Sequence, residues 1–169
     1  SATTGLPGTA WANISGQTGT TLATGNLTAS TAYQAVVTMS GCSGQVIAGP
    51  VSVFVVANPV SKPITIASLP TGGTASVPLC TTVTNKVLTI GTGSTGTIQW
   101  QSFVSPTILT TAQLATAVWA TISDATGTNY TVANPEVGVN YFRASFKNSC
   151  NVVVFSAAVA VHYKDCSAP

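Results

Sequence analysis

Groups able to share a proton or hold an ion are scarce in this chain of 169 residues: the carboxylates are Asp124, Glu136 and Asp165, and the one histidine is His162. Paired-carboxylate or general acid–base chemistry needs two such groups brought close together. Here Asp124 is expected in a turn, Glu136 in a loop and Asp165 near the C-terminus. A Ser-His-Asp relay built on His162 and Asp165 fails on geometry, because residues three apart on a strand point to opposite faces. A calcium cage would need several clustered carboxylates, and the sequence offers none. The stretch GTGSTG at 91–96 has the composition of a phosphate loop but neither its lysine nor a following helix, so it reads as a strand connection. The threonines do not recur at a fixed short spacing, which argues against a flat ice-binding array. The chain is therefore read as not an enzyme, with no cofactor and no metal site.

Four cysteines, Cys42, Cys80, Cys150 and Cys166, form no CxxC pair and have no histidine partner. That pattern makes them disulfide candidates rather than zinc ligands and points to an oxidising, extracellular location. The five cations, Lys62, Lys86, Arg143, Lys147 and Lys164, are spread without a cluster at a net charge of +2. No footprint for nucleic acid or anionic lipid results. The apolar stretch at 152–161 is too short and too rich in alanine and serine to span a bilayer, so no membrane insertion is expected. A start at Ser1, without methionine or signal peptide, suggests a processed or excised piece.

The elements that carry these residues follow from composition and internal repetition. Charged residues make up 5% of the chain and apolar residues 45%, against about 25% charged in ordinary domains. With 28 threonines and many valines, the composition favours pleated strands and an all-β fold. The segment WANISGQTGTTL at 11–22 aligns with WATISDATGTNY at 119–130, an offset of 108 residues that also pairs Tyr33 with Tyr141, Cys42 with Cys150 and Val53 with Val161. This is the size of one β-sandwich domain. Residues 1–57 then match the C-terminal half of the unit, and residues 58–169 make a complete one. The first copy lacks a counterpart of residues 86–100, so its sheet faces need completion by another copy or by a longer array. A linker stiffened by Pro59 and Pro63 is expected at 58–63.

In the complete copy the apolar alternation places strands at 64–68, 86–90, 97–103, 118–122, 129–132, 139–147 and 152–163, with turns at 71–73 and 91–94. Seven short strands in this length suggest antiparallel sandwich repeats in tandem. Trp100 sits where a central buried tryptophan belongs on the third strand, and Tyr141 opens the sixth. Trp100, Tyr141, Trp11 and Trp119 are assigned to the structural core. The 105–117 segment is longer than a tight connection and is expected to include a helical turn after a threonine cap, acting chiefly as packing.

The order Cys80, QWQ at 99–101, Trp119, Ile122, Tyr130, YFRA at 141–144, NSC at 148–150 and a valine-rich closing strand resembles the immunoglobulin-like repeats of giant Bacteroidetes surface adhesins, including gliding-motility adhesins. The resemblance covers the second copy and, from Trp11 onward, the first. It implies type IX export, bacterial cell-surface display and adhesion to surfaces or polysaccharides. The 105–117 segment departs from that family's short polar turn.

An intersheet bridge of the immunoglobulin kind would join the middles of the second and sixth strands, near Leu88 and Arg143. Cys80 and Cys150 are displaced from those points toward opposite ends of the sandwich, tens of ångströms apart at about 3.3 Å per residue. Cys166 follows the last strand at the pole where the second begins, which favours Cys80–Cys166. Cys42 and Cys150 are equivalent positions one repeat apart and should not meet.

The functional expectation is a structural or adhesive repeat of a secreted cell-surface adhesin or fibre, forming an extended stalk. Its partners would be neighbouring repeats, a surface polysaccharide and, through sheet edges poor in charge, further copies of itself. The alternative is a carbohydrate-binding module using Trp11 and Trp119.

Overall fold

The computed structural model describes residues 2–5, 10–41, 43–67, 78–82 and 85–167. The chain divides into two compact units, Ser1–Ala57 and Asn58–Pro169. The all-β class expected from valine and threonine is what forms, with several antiparallel sheets and, among the described residues, one six-residue helix.

Unit 1 holds β1 (Ala2–Gly5), β2 (Ala12–Asn13), β3 (Thr31–Thr38), β4 (Gln45–Ile47) and β5 (Val51–Val53). They form one sheet in the order β2-β1-β3-β4, with β5 also paired to β3. β4 and β5 occupy the same edge of β3, in the registers Val36↔Ile47 and Tyr33↔Val51. Between those pairs, Ala48, Gly49 and Pro50 stand opposite only Gln34 and Ala35. The extra residue makes a bulge, and Pro50 has no N–H to continue the ladder. The Ala48 N–H donates to the Ala35 carbonyl at 2.9 Å across the interruption.

Unit 2 begins with β6 (Ile64–Ile66), β7 (Leu79–Cys80), β8 (Lys86–Ile90) and β9 (Thr97–Ser105). It continues through α1 (Thr111–Thr116), β10 (Ala120–Thr121), β11 (Asn129–Val132), β12 (Gly138–Lys147), β13 (Val153–Phe155) and β14 (Val159–Lys164). A three-stranded sheet runs β11-β8-β6, and a larger one runs β10-β9-β12-β14-β7 with β13 also on β12. Strand alternation sends every second side chain inward. Ile64, Leu88, Ile90 and Val132 from the smaller sheet therefore share one buried core with Trp100, Phe142, Ala144, Phe146, Val161 and Tyr163 from the larger. Trp100 is fully buried at its centre, and its indole N–H donates to the Gly127 carbonyl at 2.8 Å.

Several boundaries differ from the sequence reading. The expected closing strand at 152–163 is broken into β13 and β14, because Ser156, Ala157 and Ala158 stand opposite only Arg143 and Ala144. The Ser156 N–H donates to the Ala144 carbonyl at 2.9 Å, and the Ala144 N–H donates to Ser156 Oγ at 2.9 Å. The hydroxyl thus satisfies a backbone group that the bulge would otherwise leave unpaired inside the protein. Of the expected strand at 118–122, only Ala120–Thr121 pairs with β9. β7, unanticipated, joins β14 in parallel with Lys164↔Cys80. The strand expected at 64–68 stops at Ile66; Ser68 and the turn at 71–73 lie outside the described residues.

The proline pair behaves differently from a free joint. Pro59 is buried, the Val60 N–H donates to Thr95 Oγ1 at 3.0 Å, and the Pro63 carbonyl accepts from the Gly91 N–H at 2.9 Å. Residues 59–63 are therefore laid along unit 2.

Candidate binding face

The outward face of the large sheet carries Phe103, Trp119, Tyr141 and Phe155 together with Arg143. Its lower half is covered. Val139 and Tyr141 are buried there, packed by Phe103, Leu109, Leu114, Trp119 and Ala160. The 105–117 segment supplies the cover. The Thr110 side chain and Gln113 form a capping box that starts α1, which offsets the poor intrinsic stability of so short a helix. The Tyr141 hydroxyl accepts from the Leu109 N–H at 2.7 Å, and the Trp119 indole donates to the Leu114 carbonyl at 3.2 Å.

Above this cluster Arg143 lies between two aromatic faces, with its guanidinium carbon 4.3 Å from the Trp119 ring centre and 4.1 Å from that of Phe155. Its Nε donates to Gln101 Oε1 at 2.7 Å, a bond across the β9–β12 pair. Cation–π contact on both sides holds the group flat, while partial burial lowers its pKa from the ordinary arginine value. A guanidinium carries five donors, so this one can offer planar hydrogen bonding beside the exposed Phe155 ring.

The strand start below is tightly fixed. Gly138 has φ +123, and a Cβ there would lie 2.8 Å from the Ser105 carbonyl oxygen. The buried Asn140 side chain accepts from the Glu136 N–H at 3.1 Å and donates to the Glu136 carbonyl at 2.7 Å. Together they set where β12 begins and hence where Tyr141 and Arg143 stand.

The sequence candidates fall as follows. Cys80 and Cys166, the pair favoured by the strand-end argument, are joined, with Cα atoms 5.3 Å apart. Cys150 is an exposed free thiol, and Cys42 lies outside the described residues. Trp100 occupies the inner core, whereas Tyr141 and Trp119 belong to the outward cluster. Trp11 is half-buried in unit 1. Asp124 sits in an exposed turn with φ 60, and Glu136 is exposed before β12. His162 stands on the outward face opposite Val139. Asp165 lies past the end of β14, where hydrogen bonds from Ser167 lower its pKa. Among the described residues no group of three or more His, Cys, Asp or Glu could hold a metal ion, and no helix is long and apolar enough to cross a membrane. The Arg143 stack escaped the sequence reading, which treated the cations only as a dispersed charge. Its signal was the alternation that puts Gln101, Arg143 and Phe155 on one face.

Residues 2–57 match a domain family of unknown function, DUF8696, and the match ends where unit 1 ends. No curated protein and no solved structure matches the chain.

Proposed function

We propose that the chain is a structural and adhesive piece of a bacterial cell-surface protein, in which immunoglobulin-like sandwich units repeat in tandem to extend a stalk. The observation that carries this reading is the interrupted edge present in both units. In each, a long strand is flanked by two short strands separated by three residues that face two. That likeness adds to the 108-residue repeat in the sequence. In unit 2 the succession of strands in two facing sheets, with a central tryptophan on the strand before the outward loop, supports the immunoglobulin-like assignment. The disulfide fits an oxidising, extracellular setting. Electron microscopy of the parent protein tests the proposal: a beaded filament of regularly spaced globules is expected, and a single compact particle would overturn it.

The Arg143 stack favours a second reading, a carbohydrate-binding face. Aromatic plates beside a planar donor suit a hydroxylated ring. If this reading holds, glycan binding falls at least about tenfold in Phe155→Ala while the far-ultraviolet circular dichroism stays unchanged. Binding that is indifferent to Phe155 would remove it.

A further inference from the structure

Unit 1 carries an open apolar hollow lined by Leu22, Tyr33, Ala35, Ala48 and Val51, among others. The bulges give the register needed to compare it with unit 2. The Ala48–Ala35 backbone bond corresponds to the Ser156–Ala144 bond, so Ala35 matches Ala144 and Ala48 matches Ser156. Two residues back on the long strand, Tyr33 matches Phe142, one position past the Tyr141 that the ungapped 108-residue offset gives it. Three residues on along the short edge, Val51 matches Val159, and the aligned segments pair Leu22 with Tyr130.

Phe142 and Ala144 are buried in the inner core of unit 2, and Tyr130 and Val159 pack against it. The hollow is thus the inner core of unit 1, seen without its opposite sheet. In unit 2 that space is filled by Ile64 of β6 and by Leu88 and Ile90 of β8.

The backbone shows the same gap. β11 exists by pairing with β8, with Tyr130↔Leu88 among its partners. Its counterpart at 21–24 forms no strand. A segment with strand-compatible residues and no neighbouring strand remains irregular, because a strand needs a ladder partner.

We propose that unit 1 is an acceptor for an antiparallel strand pair of the β6–β8 kind, one strand reading Ile-x-Ile and the other Leu-x-Ile. The pair is supplied from outside this chain, since its own β6 and β8 are seated in unit 2. The incoming Leu-x-Ile strand pairs with residues 21–24 and lays its apolar side chains on Tyr33, Ala35 and Val51. This is strand addition, in which main-chain bonds give affinity and alternate side chains give specificity. The inference rests on the repeat reading of unit 1.

The probe is a synthetic peptide of residues 59–92 added to the full chain. Calorimetry is expected to show saturable one-to-one binding, with hydrogen-exchange protection appearing at 21–24. Leu88→Asp in the peptide, or Ala35→Arg in the chain, is expected to weaken binding at least about tenfold. Absence of saturable binding overturns the proposal, as does binding indifferent to Ala35→Arg, which would place the peptide elsewhere. Sedimentation of the chain as a dimer that the peptide cannot dissociate would assign the hollow to a second copy and overturn it too. Microscopy of the parent protein separates the two levels. A beaded filament without peptide binding sinks only the strand-acceptor proposal, whereas a single compact particle sinks the repeat reading beneath it.

Discussion

Units 1 and 2 share an edge and differ in closure. In both, a long strand is bordered by two short ones across a one-residue bulge. In unit 2 that strand also has a second sheet against its inner face, and Phe142, Ala144 and Phe146 are each no more than 3% exposed. In unit 1, Ala32 is the one buried apolar residue among those described, while Val37 is 56% exposed and Val51 67%. Local sequence is thus enough to set the strands and their interruption. Burial comes from strands distant in sequence, and a sheet with one bare face lacks most of the hydrophobic term that would hold it.

The comparison is broken most strongly at the disulfide. Cys80–Cys166 closes a separation of 86 residues, worth about 4.6 kcal/mol of unfolded-chain entropy, and ties β7 to the end of β14. Cys80→Ser is expected to lower the stability of unit 2 by an amount of that order, read as a drop in the urea midpoint of Trp100 fluorescence. Hydrogen exchange at 31–38, in unit 1, should not change. An unchanged midpoint would mean that closure of unit 2 does not depend on the tether.

A finer test uses the bulge itself. Ser156 is 7% exposed and its Oγ accepts from the Ala144 N–H, whereas the corresponding residue of unit 1 is Ala48. Ser156→Ala leaves a buried N–H without its partner and is expected to cost about 2 kcal/mol. Ala48→Ser places the same hydroxyl at a bulge that solvent reaches, where the effect should stay within about 0.5 kcal/mol. Equal effects at the two sites, measured by urea unfolding and local exchange, would show that burial does not distinguish the units.

What was legible in the sequence follows the same division. The alternation at 97–103 and 139–147 announced β9 and β12, and Trp100 was placed in the core from its position on the third expected strand. The cysteine pairing followed from strand polarity alone. The bulge at 156–158 was hidden, because serine and two alanines fit an apolar strand as well as they fit an interruption. β7 was hidden for another reason: two residues pairing in parallel with a strand more than eighty positions away leave no local period. Tyr141 and Trp119 were read as core residues without a face, and only the pleat tells that they pack on the outward side of the large sheet.

The smallest expected effect concerns Tyr163, fully buried in unit 2, which the 108-residue offset aligns with Val55. Its hydroxyl has no hydrogen-bond partner among the described residues. Burial raises its pKa above the ordinary 10.0, since the phenolate would be poorly solvated there. A folded-state pKa above the unfolded one gives a contribution to stability that is complete below about pH 10 and is lost as the pH climbs through the folded value. Tyr163→Phe deletes the unpaired hydroxyl and is expected to be neutral or to stabilise by about 1 kcal/mol near neutral pH. It should also reduce the fall in the urea midpoint between about pH 8 and about pH 11. Tyr130, whose pKa is likewise raised by burial, would keep part of that fall in the variant. A destabilisation larger than about 1 kcal/mol would show that the hydroxyl has a partner, and the closed core of unit 2 would then owe part of its stability to a polar contact rather than to apolar packing alone.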